Sequence, residues 1–442
     1  NVEQYGMRVN YANTGSSDGR NQYRSSTVDF AVSEIPYGLK DSGVVDPAPT
    51  RAFAYMPIVA GGTSFMYNLQ TGGKRIANLR LSGEVIAKIF TGVITKWDDA
   101  AIKADNPSLQ LPSRQIVPVV RSDGSGSTAQ FTAWMANQYP SIWNSYCAKA
   151  GRSASPCGLT SNYPVISGKG FIAQPNSQGV AGYVSQTANE GTITYVEYSY
   201  ALKTGFPVAK VLNKAGYYVA PTASNVAVAL LSAKINSDLT SNLTQVYNSS
   251  DARTYPLSSY SYMIIPTKTE SPVTADKGKT LGAFSYYFLC EGQQQAEELG
   301  YSPLPINLVK AGLAQVKRIP GVVAQNIDIT KCHNPTFSAS GENTLAKNAP
   351  MPSACDKQGA TTQCADATGG AAGSGTTTTT TAGGTSGTGT GGGAFSLAGV
   401  NDGGPVTCNP DTGVCQPLVA APIKVDGMEW GLWQTVMVVV VL

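Results

Sequence analysis

The sequence predicts an α/β fold, and three observations support this prediction. The chain has 442 residues, which is enough for two or three domains with a sizeable core. Over roughly the first 300 residues, short β-branched and aromatic runs alternate with segments of helical periodicity. At residues 116–139 an apolar run, a glycine-rich turn and a helical pattern follow one another directly. A strand that leads through a short turn into a helix is typical of α/β proteins.

The expected elements alternate along the chain, because turn residues such as glycine, proline and asparagine separate the apolar runs. We expect strands at residues 7–12, 28–33, 56–60, 63–68, 116–120, 192–198 and 260–265. Apolar spacing predicts helices at residues 82–90, 178–184, 223–233, 279–289 and 293–299, besides the helix after the glycine-rich turn. The runs 56–60 and 63–68 fit either a strand pair or one strand bent at Gly61 and Gly62.

The glycine-rich turn, with its neighbouring Arg121, suits an oxyanion. The first N–H groups of a helix have no intrahelical partner, and the helix dipole leaves partial positive charge there. Gly124 and Gly126 let the backbone approach an anion closely, while the guanidinium of Arg121 can grip two oxygens at once. Hydroxyl donors are added by Ser125, Ser127 and Thr128. The alternative is an ordinary strand-to-helix loop capped by Ser127, and no Gly-Lys-Ser/Thr follows, so a P-loop is unsupported.

Composition excludes several classes of function. Charged residues make up 13% of the chain, the net charge is +3, and no Lys/Arg block occurs, so we expect no nucleic-acid partner. The single histidine, His333, rules out a multi-histidine metal site, and we expect neither a metal nor a cofactor. The acidic pairs at residues 98–99 and 297–298 are sequence neighbours that point in different directions, so they do not form an acid/base pair. We therefore expect no catalytic residues and no enzyme activity.

The cysteines indicate an exported protein. There are eight, and none forms a Cys-x-x-Cys pattern. An even number at short spacings, in a chain rich in threonine, serine and glycine, is typical of disulfides formed in an oxidising compartment. The expected pairs are Cys147 with Cys157, Cys290 with Cys332, Cys355 with Cys364, and Cys408 with Cys415.

The two ends of the chain differ from its middle. The first residues lack the basic and apolar regions of a signal peptide, so the sequence is interpreted as starting inside a fold. Residues 333–425 are predicted to be a disulfide-containing tether, since residues 367–394 are almost wholly Gly, Thr, Ser and Ala. The apolar tail, residues 426–442, is predicted to begin a membrane anchor, with Trp430 and Trp433 at the interface. The alternative is a β-branched strand at residues 435–442.

Three separated stretches resemble one family in order and in local context. They are Val-Asn-Tyr-Ala-Asn-Thr-Gly-Ser-Ser at residues 9–17, Val-Asp-Phe-Ala-Val-Ser-Glu-Ile-Pro at 28–36, and Val-Val-Arg-Ser-Asp-Gly-Ser-Gly-Ser-Thr at 119–128. They resemble the phosphate-binding (PstS-type) protein of the high-affinity phosphate ABC transporter. The resemblance covers roughly residues 5–320 and implies a two-lobed periplasmic-binding-protein (type II) fold that closes over a dehydrated anion.

The resemblance also implies which residues form each lobe and the site. Lobe I would be residues 1–59 and 258–332, lacking its first strand and helix, and lobe II residues 60–257. The implied phosphate-binding residues are Ser16, Glu34, Arg121, Ser125, Gly126 and Ser127. The implied supporting residues are Ser17, Asp123 and Gly124.

Glu34 departs from the family, which has an aspartate at this position. An acceptor carboxylate favours hydrogen phosphate, which has a proton to donate, over sulfate, which has none at neutral pH. Glutamate keeps the charge and adds one methylene, so we expect this selectivity to survive. The alternative is that Glu34 is a solvated loop charge. The missing first strand is a second departure, which leads to the hypothesis that residues 435–442 complete the sheet of a neighbouring copy.

The leading functional hypothesis is an exported, surface-anchored solute-binding protein of actinobacterial type. It would capture inorganic phosphate and pass it to the membrane permease of an ABC transporter, with its C-terminal segment in the membrane. The alternative is a cell-surface structural or adhesive protein that reuses the fold and assembles through an unfilled sheet edge. Bound tetrahedral anion beside Arg121 would favour the first hypothesis, and an intermolecular strand the second.

Overall fold

The computed structural model describes residues 7, 9–152, 155–338, 340–374, 406–408, 415–417 and 437–440. Strands β1 to β19 are, in order, Val9–Ala12, Phe30–Ser33, Lys40–Asp41, Val44–Val45, Phe53–Tyr67, Gln70–Thr71, Lys74–Arg75, Arg80–Leu81, Val117–Arg121, Ile172–Gln174, Thr192–Glu197, Lys210–Leu212, Tyr218–Val219, Lys234–Ile235, Ser241–Asn242, Ser258–Pro266, Val406–Cys408, Cys415–Pro417 and Met437–Val440. Helices α1 to α12 are, in order, Ser16–Arg24, Gly83–Phe90, Ala100–Asp105, Gly126–Gln138, Pro140–Lys149, Asn176–Val184, Tyr198–Thr204, Ala223–Leu230, Thr244–Tyr247, Ala275–Leu289, Ile306–Val316 and Thr344–Lys347. The α/β class that the sequence predicts is confirmed.

An eight-stranded sheet in the order β1-β19-β2-β16-β5-β11-β9-β10 organises the fold. The first part of β5 pairs with β16, and its last five residues pair with β11, so one strand joins both halves of the sheet. The predicted runs 56–60 and 63–68 therefore fall in a single strand, which ends at Tyr67, rather than in a strand pair. At the change of partner, a Cβ on Gly62 would lie 2.7 Å from Pro221 Cβ, which explains why a glycine is needed there. The lobe boundaries drawn from the sequence remain a prediction.

The segment after the Cys290–Cys332 disulfide is packed against the protein up to residue 374. Lys210 Nζ forms an ion pair with Asp356 at 2.6 Å, and Arg80 Nη1 donates to the carbonyl of Cys355 at 2.7 Å. The prediction that the tether starts at residue 333 is thus wrong for residues 333–338 and 340–374, whose long-range contacts hold them in place. Residues 375–405 of the predicted tether lie outside the described residues.

Three of the expected disulfides are present, namely Cys147–Cys157, Cys290–Cys332 and Cys355–Cys364. The remaining two cysteines, Cys408 and Cys415, are register partners in the antiparallel pair of strands β17 and β18. Their covalent pairing stays a prediction.

The described part of the apolar tail is a strand. Met437–Val440 forms β19, which lies parallel to both β1 and β2 in the sheet of its own chain. The other tail residues, 426–436 and 441–442, lie outside the described part of the chain, so the membrane anchor and pairing with a second copy stay predictions. No described helix combines the length and the apolar character that crossing a membrane requires.

Candidate functional site

The start of α4 is held firmly by its cap and by its packing. Ser125 is the N-cap residue, and its Oγ accepts the N–H of Thr128 at 3.2 Å. The sequence alternative that made Ser127 the cap is therefore wrong, because the cap lies two residues earlier, at Ser125, and Ser127 is inside the helix. One turn further on, Phe131 is fully buried and packs against Phe90 and Tyr195, with ring centroids 5.1 and 5.0 Å away. Among the described residues, the N–H groups of Gly126 and Ser127 have no acceptor.

Arg121 ends β9 beside this helix start and is 3% exposed. Its Nε donates to Asp123 Oδ1 at 2.8 Å, its Nη2 donates to the other oxygen of Asp123, and its Nη1 donates to Ser177 Oγ at 2.9 Å. Burial disfavours the charged form of both residues. The hydrogen bonds and the attraction between the two charges outweigh it, so the pKa of Arg121 is raised and the pKa of Asp123 is lowered. The ion pair thus fixes the plane of a guanidinium that stays charged.

Glu34 follows β2 and reaches the same place from the other half of the sheet. Its Oε2 lies 3.1 Å from Ser127 Oγ, and its N–H donates to Ser16 Oγ at 3.3 Å. A Cβ on Gly126 would lie 2.5 Å from Glu34 Oε2 and even closer to Ser16 Oγ, so only glycine fits between them. The structure therefore brings Ser16, Glu34, Gly126 and Ser127 together, and the alternative of a solvated Glu34 is wrong, since this residue is 5% exposed.

The predicted supporting residues lie at the start of α1 and in the turn between β9 and α4, which contact each other. The N–H of Ser17 donates to the carbonyl of Gly124 at 3.1 Å, and Ser17 Oγ lies 2.9 Å from Ser161 Oγ. Nearby, the hairpin of β3 and β4 contributes Asp41, whose two oxygens each accept the N–H of Ser161 at 3.1 Å. These contacts connect segments that follow the β1–β2 part of the sheet with segments that follow β9, next to the site. The roles in phosphate binding that the sequence assigns to these residues stay predictions.

Three residues of the site, Ser177, Tyr195 and Glu197, were not predicted from the sequence. Glu197, at the end of β11, accepts from Ser127 Oγ at 2.8 Å and from Ser177 Oγ at 2.7 Å. Tyr195 accepts the N–H of Arg121 at 3.2 Å through its hydroxyl. A possible signal for Glu197 was an acidic residue at the end of a buried run, but only the pairing of β11 with β9 shows that it lies beside Ser127 and Ser177.

The buried carboxyl group of Glu34 has a pKa well above its ordinary value. Burial and then the negative charge of Glu197 raise the pKa of Glu34 to about 8, against smaller opposing effects of Ser127 and Arg121. One cation and three carboxyl groups, those of Glu34, Asp123 and Glu197, therefore surround the start of α4. Within the described part of the chain, no group of three or more His, Cys, Asp or Glu residues is arranged to hold a metal ion. The geometry offers N–H donors and a proton acceptor to a small oxyanion.

Comparisons with known proteins agree with this chemistry. A family model described as "PBP superfamily domain" matches residues 2–291. The phosphate-binding protein PstS of Xylella fastidiosa (strain Temecula1) is 35% identical over 307 residues, which cover 69% of this chain and 76% of that protein. PstS of Haemophilus influenzae is 31% identical over 312 residues, covering 71% of this chain and 85% of that protein. PstS 2 of Mycobacterium tuberculosis is 30% identical over 307 residues, covering 68% of this chain and 76% of that protein.

Solved structures show the same fold at lower identity. The ancestral soluble variant of the human phosphate binding protein has a TM-score of 0.51 at 18% identity, covering 70% of this chain and 91% of that one. A high affinity periplasmic phosphate-binding protein, PfluDING, bound with phosphate, has a TM-score of 0.51 at 18% identity, covering 71% of this chain and 92% of that one.

Proposed function

The chain belongs to the PstS-type phosphate-binding proteins of the PBP superfamily, and from that premise we propose that it binds inorganic phosphate between Glu34 and the start of α4. The family consists of substrate-binding proteins rather than enzymes, so the ligand is captured and released unchanged. The observation that carries the proposal is the meeting of Glu34 with Ser127, 93 residues apart in sequence, at 3.1 Å.

The donors for the anion come from α4 and Arg121. The N–H groups of Gly126 and Ser127 point out of the first turn, where the helix dipole adds positive potential. A guanidinium has five N–H hydrogens. Three of them serve Asp123 and Ser177, which leaves two that no described residue uses. Together these groups can hold two or three oxygens of a tetrahedral ion by charge-assisted hydrogen bonds.

Glu34 supplies the opposite kind of group, an acceptor, because one of its two carboxyl oxygens carries no proton even where the raised pKa keeps the group protonated. Hydrogen phosphate still carries a proton near neutral pH, because its last ionisation has a pKa of about 6. Sulfate has no proton to donate, so its oxygens would face the oxygens of Glu34 without a hydrogen bond. A buried acceptor left without a donor disfavours binding by about 1 to 3 kcal/mol, and more when it is charged. The site should therefore prefer phosphate to sulfate.

The proposal extends to where the protein works. Three disulfides support an exported protein, as does the solute-binding family to which the chain belongs. We propose that the bound phosphate is delivered to the membrane permease of an ABC transporter, and that the C-terminal segment holds the protein at the cell surface. The alternative of an adhesive or assembling surface protein stays a prediction, and it requires no affinity for phosphate.

The experiment is a calorimetric titration with phosphate and with sulfate. We expect the unsubstituted protein to bind phosphate at least a hundredfold more tightly than sulfate, and R121A to lose at least a hundredfold in phosphate affinity. The matched control is R114A, because Arg114 is half-exposed and pairs with Glu190 at the surface, 3.1 Å away. Equal phosphate affinities of R121A and R114A would contradict the proposed site.

A further inference from the structure

A second cavity, of about 210 Å³, lies beside β5 and shares no lining residue with the anion site. Ala60 on β5 and Tyr260 on β16 form one wall, and these two residues are register partners in the sheet. The end of α8 and the segments that lead into α11 and α12 form the other walls. Ala60 comes just before the point where β5 changes its partner from β16 to β11. The cavity is therefore next to the strand that joins both halves of the sheet.

The lining is predominantly apolar, and it includes no Asp, Glu, Lys, Arg or His residue. Its apolar surface comes mainly from Leu230, Leu231, Ile235, Ile306 and Phe337. A charged ligand would leave water here without finding a partner of opposite sign, which strongly disfavours its binding. An apolar cavity of about 150 Å³ in another protein stays dry and binds benzene. This cavity thus has room for a neutral molecule with one aromatic ring and a small substituent.

Ser302 contributes an unused polar atom to this apolar lining. The residue is 1% exposed, and its backbone is held against β5. Its N–H donates to the carbonyl of Ala60 at 2.8 Å, and its carbonyl accepts the N–H of Ala60 at 2.9 Å. In the described part of the chain, no residue forms a hydrogen bond with Ser302 Oγ. A buried hydroxyl group without a partner disfavours the folded state, and a ligand that supplies the missing hydrogen bond removes this penalty.

The amide and hydroxyl side chains of three other lining residues are engaged or exposed. Thr336 Oγ1 donates to a backbone carbonyl at 3.0 Å, and the side chain of Asn343 caps α12. Asn307 is exposed. Buried water in proteins typically makes about three hydrogen bonds. A water molecule on Ser302 finds few further partners among the apolar side chains, so a mostly apolar ligand suits the cavity better than water does.

We propose that this cavity binds a small neutral aromatic molecule with one hydroxyl group. The ring lies against the apolar lining, and the hydroxyl group forms a hydrogen bond with Ser302 Oγ. The volume of the cavity limits the ligand to a single ring, the lack of charged side chains requires it to be neutral, and Ser302 favours the hydroxyl group. The site goes beyond the proposed function, because phosphate is a charged ion that binds at a different place.

The test is a fluorine NMR titration with para-fluorophenol and para-fluorotoluene, two probes of similar size that differ in a hydroxyl and a methyl group. We expect the unsubstituted protein to bind both at millimolar concentration. S302A should lower the affinity for para-fluorophenol about fivefold, because it removes one hydrogen bond, and should leave the affinity for para-fluorotoluene unchanged. The matched control is S285A, which should keep both affinities. Ser285 in α10 is similarly buried, and its Oγ also has no partner among the residues described, but it does not line the cavity.

A second variant tests whether the probes occupy this cavity. Ala233 lines it and is half-buried, so the ring introduced in A233F should fill part of the space and weaken the binding of both probes about tenfold. A104F introduces the same ring at an exposed position of α3 and should bind both probes as the unsubstituted protein does.

Circular dichroism checks that each variant is folded. S302A removes an atom that has no partner among the described residues, so we expect its fold to be unchanged. An unchanged affinity of S302A for para-fluorophenol, or an equal loss of affinity for both probes, would overturn the role of Ser302. Undiminished binding by folded A233F, or no binding of either probe to the unsubstituted protein, would overturn the site itself.

Discussion

Replacing Glu34 with glutamine should change how the stability of the protein depends on pH. The folded protein binds the Glu34 proton more tightly than the unfolded chain does, because folding raises the pKa of this group from its ordinary value of 4.5 to about 8. The free energy of unfolding of the unsubstituted protein therefore includes a contribution that is fully present below about pH 4.5. It is lost progressively as the pH rises to about 8. Glutamine does not titrate, so the free energy of unfolding of E34Q lacks this pH dependence.

The size of the effect follows from the two pKa values. They differ by about 3.5 pH units, and each unit corresponds to about 1.4 kcal/mol, so the maximum loss is roughly 5 kcal/mol. Between pH 5 and pH 8, the unsubstituted protein should lose about 3 to 4 kcal/mol more than E34Q. This difference isolates Glu34, because all other ionisable groups are shared by the two proteins.

Urea unfolding in phosphate-free buffer at pH 5, 6.5 and 8 measures this difference. E84Q serves as the control, because Glu84 is exposed on α2 and should leave the pH dependence of the unsubstituted protein unchanged. Parallel pH dependences of the unsubstituted protein and E34Q would refute the conclusion that burial and Glu197 keep Glu34 protonated.

Three further predictions concern the surroundings of the site. D41N should weaken phosphate binding about tenfold in a calorimetric titration, because both carboxylate oxygens of Asp41 accept the N–H of Ser161. An unchanged affinity would show that this contact does not contribute to phosphate binding. G126A should abolish phosphate binding, because the added Cβ would overlap Glu34. The control G182A in α6, where a Cβ meets nothing within 4 Å, should bind phosphate normally. Binding of phosphate by G126A would show that the anion lies elsewhere. Replacing both Cys290 and Cys332 with serine should lower the free energy of unfolding by about 4 kcal/mol, because the disulfide closes a loop of 42 residues and so restricts the unfolded chain. A decrease below about 1 kcal/mol in urea unfolding would contradict this entropic explanation.

The core of the site could be predicted because its signals are local. The apolar run, the glycines and the helical spacing around residues 116–139 together predict a strand, a turn and a helix start, and the structure has β9 and α4 there. The position of Glu34 opposite this turn came from the resemblance to a family, and Ser127 and Glu34 do meet. Local periodicity alone could not have shown that contact, which depends on how β2 and β9 are placed in one sheet.

The parts that the sequence could not predict depend on contacts between distant residues. Glu197 joins the site because β11 pairs with β9, and Ser177 joins because α6 follows β10 on the other side of β9. The segment 333–374 was expected to be part of a tether, yet Asp356 pairs with Lys210, 146 residues away. Composition describes a segment by itself and carries no information about such a partner, so a polar stretch that packs on a folded surface looks like a linker.

The most direct test of the central claim is an anomalous difference map from crystals grown with arsenate, a tetrahedral analogue of phosphate. We predict one strong arsenic peak between Glu34 and the start of α4, with anion oxygens within about 3 Å of the Gly126 nitrogen and the Arg121 guanidinium. A peak at another place, or none at millimolar arsenate, would contradict the claim that this pocket binds the anion.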